Sequence, residues 1–354
     1  MGAGVIIANF GGPRNRGDLV PFLTRLLSDV LPGPKWLSHP MASILARRRA
    51  GRVVSSYERI GWSPLVQTNA EQVAALRQLL GNDGPPIATG MMYTPPEFDD
   101  ALRHLATRGV SKIIALPMFP HYSIATTQSA YNLIHHAQQS TGLTSIPLSY
   151  INSYYDHPTY IRALTSTIKQ GVAKTGGEGP IHLIFSAHGL PVSYVQKRLD
   201  PYADQIEATI KATITALAWK DPYHLAWQSR LGPIAWLRPS TEEMLDTLAR
   251  NGAKRVTIIP LSFVCDHFET LDEIDIGLAK LATQLKISHF TRAPALNLNS
   301  TFISCLKELI VEALANPPIP QCPRCKATID GPTSSCCAFR RPRYLSDQGS
   351  VLSS

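Results

Sequence analysis

Short apolar runs and amphipathic stretches alternate along this chain from end to end. Runs at 4–10, 86–92, 112–118, 145–150, 181–187, 223–228 and 255–264, and a weaker one at 287–291, have strand length and are bounded by glycine, proline or polar residues. Helical spacing fills most of the intervals. In "EFDDALRHLATRG" (97–109), Phe98, Ala101, Leu102 and Leu105 fall on one face. Strands alternating with amphipathic helices predict parallel α/β architecture.

The pattern is also written twice. "LRHLATRGVSKIIALPMF" (102–119) matches "LDTLARNGAKRVTIIPLS" (245–262) without a gap. Each reads as helix, glycine stop, basic residue, buried strand and closing proline. "ANFGGP" (8–13) and "SAHGLP" (186–191) match at a different offset. Any two strand–helix units share part of this pattern, but the common glycine and proline positions favour duplication. The expectation is two similar Rossmann-like halves, each a parallel sheet flanked by helices, with a cleft between them. The first half spans 1–150, the second 151–316, and a cysteine-rich tail occupies 317–354.

Composition narrows the class. Hydrophobic residues make up 44% and charged residues 17%, a globular balance. No run approaches the roughly 20 apolar residues of a membrane span. The N-terminus reads directly as a first strand, with no basic leader, which predicts a cytoplasmic protein. The net charge of +8 suits an acidic partner. The one dense basic run, Arg47 to Arg52, lacks the interleaved aromatics of a single-strand binder, so nucleic acid is not expected. Of six cysteines, Cys265 and Cys305 sit in apolar patterns and read as small core residues.

The candidate chemistry lies at strand ends, where ligands bind in such folds. His188 closes the run "LIFSAH", at the position Phe10 takes in the first half. One half thus offers an apolar wall where the other offers a base. "DHFETLDEIDI" (266–276) holds Asp266, His267, Glu269, Asp272, Glu273 and Asp275 with no lysine or arginine. A helix beginning near Phe268 puts Glu269 and Glu273 on one face. Helix-dipole and capping preferences account for Asp266 and Glu269. They leave Glu273 and Asp275 unexplained, and a row of carboxylates leading inward suits proton or cation transit. A lone histidine is more often a hydrogen-bonded core residue. His188, at a strand end opposite that row, is better placed to accept a proton or bind a metal.

These segments resemble one family closely. "LIFSAHGLP", "DPYHLAWQSRLGPIAWLRP" and "FVCDHFETLDEIDI" are similar to signature segments of ferrochelatases, which insert ferrous iron into a porphyrin to make haem. "NFGGP", "RRRAGRVVSSYERIGWSPL" and "FPHYSIATTQSAYN" fit the same family, and the likeness covers about residues 4–315. The resemblance implies a chelatase-type fold, with protoporphyrin IX or coproporphyrin III and Fe²⁺ as substrates. It implies that His188 accepts pyrrole protons or passes the metal, with Glu269 its partner across the cleft. His267, Asp272, Glu273 and Asp275 extend a polar path. Phe10, Tyr57, Tyr93, Ser123 and Trp236 meet the macrocycle. Residues 18–49 match a hydrophobic lip, with Leu26, Leu27, Val30, Leu31, Trp36 and Leu37 on its apolar face. Arg48 and Arg49, beside Arg47, face propionates or lipid phosphates. That lip implies peripheral contact with the inner membrane surface. Met92 stands where many members carry a basic residue. The other readings are a cobalt chelatase and a non-catalytic porphyrin- or haem-binding iron–sulfur regulator on the same fold.

The tail "CPRCKATIDGPTSSCC" (322–337) follows a proline-rich linker. Its C-x₂-C spacing suits a tetrahedral thiolate site for Zn²⁺ or an iron–sulfur cluster. Resemblance to ferrochelatases with a C-terminal "CPxC" segment implies a [2Fe–2S] cluster. The animal enzymes' ligand from the segment matching "HYSIATT" is replaced by Ile124, so the ligands are expected to be Cys322, Cys325, Cys336 and Cys337.

Overall fold

The computed structural model describes residues 2–31, 35–230, 232 and 234–315, and only the backbone of 35–37. The first half runs β1 (Ala3–Asn9), α1 (Arg16–Val30), α2 (Lys35–Arg59), α3 (Leu65–Leu80), β2 (Ile87–Met91), α4 (Phe98–Thr107), β3 (Lys112–Pro117), α5 (Ser129–Thr141) and β4 (Leu148–Tyr150). The second runs α6 (Pro158–Lys174), β5 (His182–His188), α7 (Val192–Gln196), α8 (Tyr202–Leu217), β6 (Tyr223–Gln228), α9 (Thr241–Arg250), β7 (Arg255–Pro260), α10 (Ala279–Gln284), β8 (His289–Arg292) and α11 (Ser300–Ala315). Every apolar run read as a strand is one.

The central strands β1, β3, β5 and β7 are largely apolar at successive positions because both faces of each sheet are covered there, whereas the edge strands β4 and β8 are only partly buried. All seven residues of β1 are buried. Val5 and Ile7 enter one core while Ile6 and Ala8 enter another, the two-residue period of a strand. The inner core is shared. Val5, Ile7 and Leu116 of the first sheet pack in one continuous cluster with Leu183, Phe185 and Ile259 of the second, together with Tyr160 of α6 and Phe302 of α11. The halves are therefore two sheets in one packed body.

Both sheets are parallel and have the same strand order, β2-β1-β3-β4 and β6-β5-β7-β8. The duplication read from sequence holds residue for residue. Helix Phe98–Thr107 and strand Lys112–Pro117 recur as Thr241–Arg250 and Arg255–Pro260. Strand order reverses beside β1 and beside β5, the switch points at which open parallel sheets bind ligands. Phe10 follows the end of β1, and His188 is the end of β5.

One element differs from expectation. The acidic stretch is a wide π-type helix, Glu269–Leu278, rather than an α-helix. A shorter one, Ile124–Gln128, occupies the corresponding place after β3. The wider i→i+5 pattern has no simple residue signature, and such segments gather at functional sites.

Candidate functional site

A cavity of about 1280 Å³ opens where strand ends from both sheets meet. Phe10, Phe119 and His121 from the first half and His188, Ser229, Ser262 and Phe263 from the second line it. Pockets for small ligands are usually about 300–1,000 Å³, so this one suits a large ligand.

His188 is held by its backbone. Its N–H donates to Ser262 Oγ at 2.6 Å, and that hydroxyl also lies 2.6 Å from the Tyr202 hydroxyl. The next residue's N–H donates to Gln228 O at 2.8 Å. A side chain at Gly189 would begin 3.0 Å from that carbonyl and 3.4 Å from the Trp236 ring, so the glycine lets Trp236 close on the strand end. The His188 ring stands edge-on to Phe263 at 5.8 Å. Its Nδ1 is buried with no hydrogen-bond partner. Burial lowers the ring's pKa, Glu269 opposes that effect and His267 adds to it, leaving a net lowering. The imidazole is therefore neutral at pH 7.

The carboxylates sort by their partners. Glu269 approaches His267 Nε2 at 2.9 Å, an ion-pair distance, although the ring nitrogen is not angled for a hydrogen bond. Burial works to raise the Glu269 carboxyl, but His267 and then His188 hold it well below the usual range. Glu273 accepts a hydrogen bond from Ser229 at 2.6 Å. Burial, and then the charge on Glu269, push it up to about 7. One carboxylate is thus ionised and its neighbour takes up a proton near neutrality. Asp272 also lines the cavity but is engaged by Arg59 at 2.6 Å. Asp275 is exposed and does not line the cavity. Arg292 grips both its oxygens, at 2.7 and 2.8 Å, and also holds Asp266 at 2.9 Å.

The expected wall residues Phe10, Tyr57, Tyr93, Ser123 and Trp236 all line the cavity. Phe10 and Tyr93 meet edge to face at 4.7 Å, and the Tyr93 hydroxyl donates to Asp29 at 2.8 Å. Ser123 is almost fully buried, and its hydroxyl donates to Asp200 at 2.9 Å. Asp200 also accepts from the Ile124 and Tyr202 N–H groups. Ser123 therefore braces the loop that forms this wall. Arg49 lines the cavity, whereas Arg48, one residue earlier on α2, is exposed outside it. Leu26, Leu27 and Val30 of the lip line the cavity, and Trp36 and Leu37 have no described side chain. Met92 is buried in the core of the first half.

Sequence reasoning missed several lining groups. Phe268 lies against Tyr57 at 4.4 Å and Phe263 against the ring of His267 at 3.9 Å. Ser229, Tyr194, Arg198 and Lys280 also line the cavity. Ser229 follows β6 directly, so the strand-end rule would have found it. Arg59 has no local signal, because its partner is far along the chain.

Among the described residues no three His, Cys, Asp or Glu side chains form a metal-holding group. Cys265 and Cys305 are buried core thiols, as read from sequence. Cys322, Cys325, Cys336 and Cys337 lie outside the described residues.

Comparison with known proteins adds independent findings. The family model described as ferrochelatase matches residues 2–314. A ferrochelatase from Geotalea daltonii is 43% identical over 310 residues, covering 86% of this chain and 96% of that protein. One from Trichodesmium erythraeum is 38% identical over 322 residues, covering 89% of this chain and 83% of that one. Among solved structures, SirB from Bacillus subtilis with Fe³⁺ superimposes with a TM-score of 0.59 at 10% identity, over 90% of this chain and 97% of that one. At that identity the likeness shows the fold alone.

Proposed function

The chain belongs to the ferrochelatase family, lyases that insert ferrous iron into a porphyrin in haem biosynthesis, and on that premise we propose that His188 is its base and Glu269 the partner carboxylate. The reaction exchanges Fe²⁺ for the two pyrrole protons of the macrocycle, with no change in the iron's oxidation state. The site must therefore take up two protons, release them to water and hold a flat apolar ring. The observation that carries the reading is His188 itself. It is a neutral imidazole with an unpartnered buried Nδ1, in a cavity it shares with an ionised Glu269.

Protons accepted at His188 pass to the coupled carboxylates. Glu269 stays ionised and stabilises the imidazolium as it forms. Glu273, poised near neutrality and bonded to Ser229, carries the proton onward, with His267 beside Glu269. Asp272 and Asp275, each held by an arginine, flank this path. Phe10, Tyr57, Tyr93 and Trp236 form the walls against the ring, and Arg49 receives a propionate. Protoporphyrin IX or coproporphyrin III fits this reading.

Exposed Val30, Met41, Ile44 and Leu45, near exposed Arg47 and Arg48, support peripheral contact of residues 18–49 with the inner membrane surface. No described helix is long and apolar enough to cross a membrane. The tail cysteines 322, 325, 336 and 337 hold a [2Fe–2S] cluster in this reading, with Zn²⁺ the alternative for the same thiolates. The proposed chemistry has no step through that group.

The test is anaerobic mixing of the protein with Fe²⁺ and protoporphyrin IX or coproporphyrin III, following loss of the free-base spectrum beside His188→Ala. Turnover is expected in the wild type and a loss of about 100-fold or more in the variant. Turnover that survives the substitution removes His188 from its role, and a wild type inert toward both porphyrins removes the assignment.

A further inference from the structure

The acidic helix Glu269–Leu278 belongs to the second half but is anchored at two points on α2 of the first. Tyr57 lies on Phe268, one residue before the helix, with ring centroids 4.4 Å apart. Two residues further along α2, Arg59 reaches Asp272. Its Nη2 lies 2.6 Å and its Nε 3.2 Å from the same carboxylate oxygen. A third bond from Arg59 Nη2 to Ser56 Oγ, at 3.0 Å, ties the guanidinium back to its own helix. Arg59 and Asp272 both line the cavity. The arginine side chain is 53% exposed and the aspartate 13%, so the pair spans from solvent to the cavity wall.

The two anchors bracket Glu269, which stands between Phe268 and Asp272. Behind the cleft the halves share one apolar core. In front, these contacts fix the acidic helix against the wall that carries Tyr57 and Arg49. We propose that Arg59 is a positioning residue: through Asp272 it clasps the two halves across the cleft and sets how far the acidic helix stands from the opposite wall. The proposal rests on the reading of this cavity as the porphyrin site. It gives Asp272 a mechanical task in place of a proton-carrying one.

The consequence is a population effect. Without the clasp the cleft samples wider openings, and apparent affinity falls by the fraction that remains closed. A saturated cleft still closes around its ligand, so the chemical step is preserved. An ion pair of this exposure shifts such an equilibrium by about two- to fivefold.

Arg59→Gln, Asp272→Asn, the double variant and the swapped pair Arg59→Asp/Asp272→Arg would be compared with Arg16→Gln, whose partner Glu58 lies in the same half. Three readouts are needed: steady-state constants for protoporphyrin IX, its dissociation rate by fluorescence, and amide hydrogen exchange across residues 268–278. Each single variant is expected to raise KM and the dissociation rate about two- to fivefold with kcat retained. The double variant is expected to be no worse than either single, because both break one contact. The swapped pair is expected to recover most of the loss. Exchange in 268–278 is expected to quicken in the singles and slow again in the swap. Singles that behave like Arg16→Gln, or singles whose effects add, overturn the clasp. A wild type that binds no porphyrin defeats the enzyme reading instead, and the exchange measurement, which needs no ligand, then decides the clasp alone.

Discussion

Glu273→Gln is expected to make the protein more stable while it loses activity. The Glu273 carboxyl moves from 4.5 to about 7, first because it is buried and second because Glu269 beside it is charged. Between those two pH values the native state keeps a proton that the unfolded chain has released. Stability therefore falls as pH rises through that window and is fully penalised above about 7. A displacement of this size corresponds to roughly 3 kcal/mol at most, and partial exposure to the cavity and coupling to Glu269 reduce it to about 1–3 kcal/mol. Glutamine copies the protonated carboxyl and still offers an oxygen to Ser229, so the variant escapes the penalty. Urea unfolding at pH 4.5 and at pH 8 measures this directly. The variant should match the wild type at the lower pH and exceed it by about 1–3 kcal/mol at the higher. Turnover should drop about 10- to 100-fold at both, because glutamine cannot carry a proton. A stability difference that is the same at both pH values, or a variant less stable at pH 8, would falsify the claim that this carboxyl is held protonated by its surroundings.

Three further outcomes are expected. Arg49→Gln should raise KM for protoporphyrin IX about tenfold and leave KM for its uncharged dimethyl ester unchanged; equal effects on both would show that Arg49 acts through packing. Gly189→Ala should fold but lower kcat about tenfold, since the added methyl meets the Gln228 carbonyl at 3.0 Å and presses on Trp236; a silent variant would mean this wall tolerates displacement. Purified anaerobically, the full chain should show thiolate-to-iron charge-transfer absorption that disappears when Cys322 and Cys325 are both replaced by Ser; stoichiometric zinc in its place would assign the tail to Zn²⁺.

The sequence made the sheets legible because their chemistry is local. A strand covered on both faces reads as a near-continuous apolar run, as the buried Val5 to Ala8 of β1 show, and such a run can be read without knowing its neighbours. The duplication was legible for the same reason, since "LRHLATRGVSKIIALPMF" and its copy carry their own stops. His188 could be placed at the cavity because it ends β5, and the cavity lies at the strand ends. The acidic stretch was found as a stretch but not as a set of roles.

What separates the four carboxylates of helix Glu269–Leu278 is the partner each one meets, and three of those partners come from distant parts of the chain. Asp272 meets Arg59 on α2, and Asp275 meets Arg292 on β8. Glu273 meets Ser229 at the end of β6, and Glu269 alone pairs within its own segment, with His267. An arginine beside a carboxylate occupies its oxygens and ties it to the element that carries the arginine. Two acids of the row are thereby engaged in contacts that hold the helix in place. Of the other two, Glu269 is held well below the usual carboxylate range and Glu273 is pushed up to about 7. The same logic separates Arg49 from Arg48. Successive residues on an α-helix point about 100° apart, so only one of the pair can face the cavity. Spacing along the chain proposes which groups are available, and contacts across the fold decide which of them are free to react.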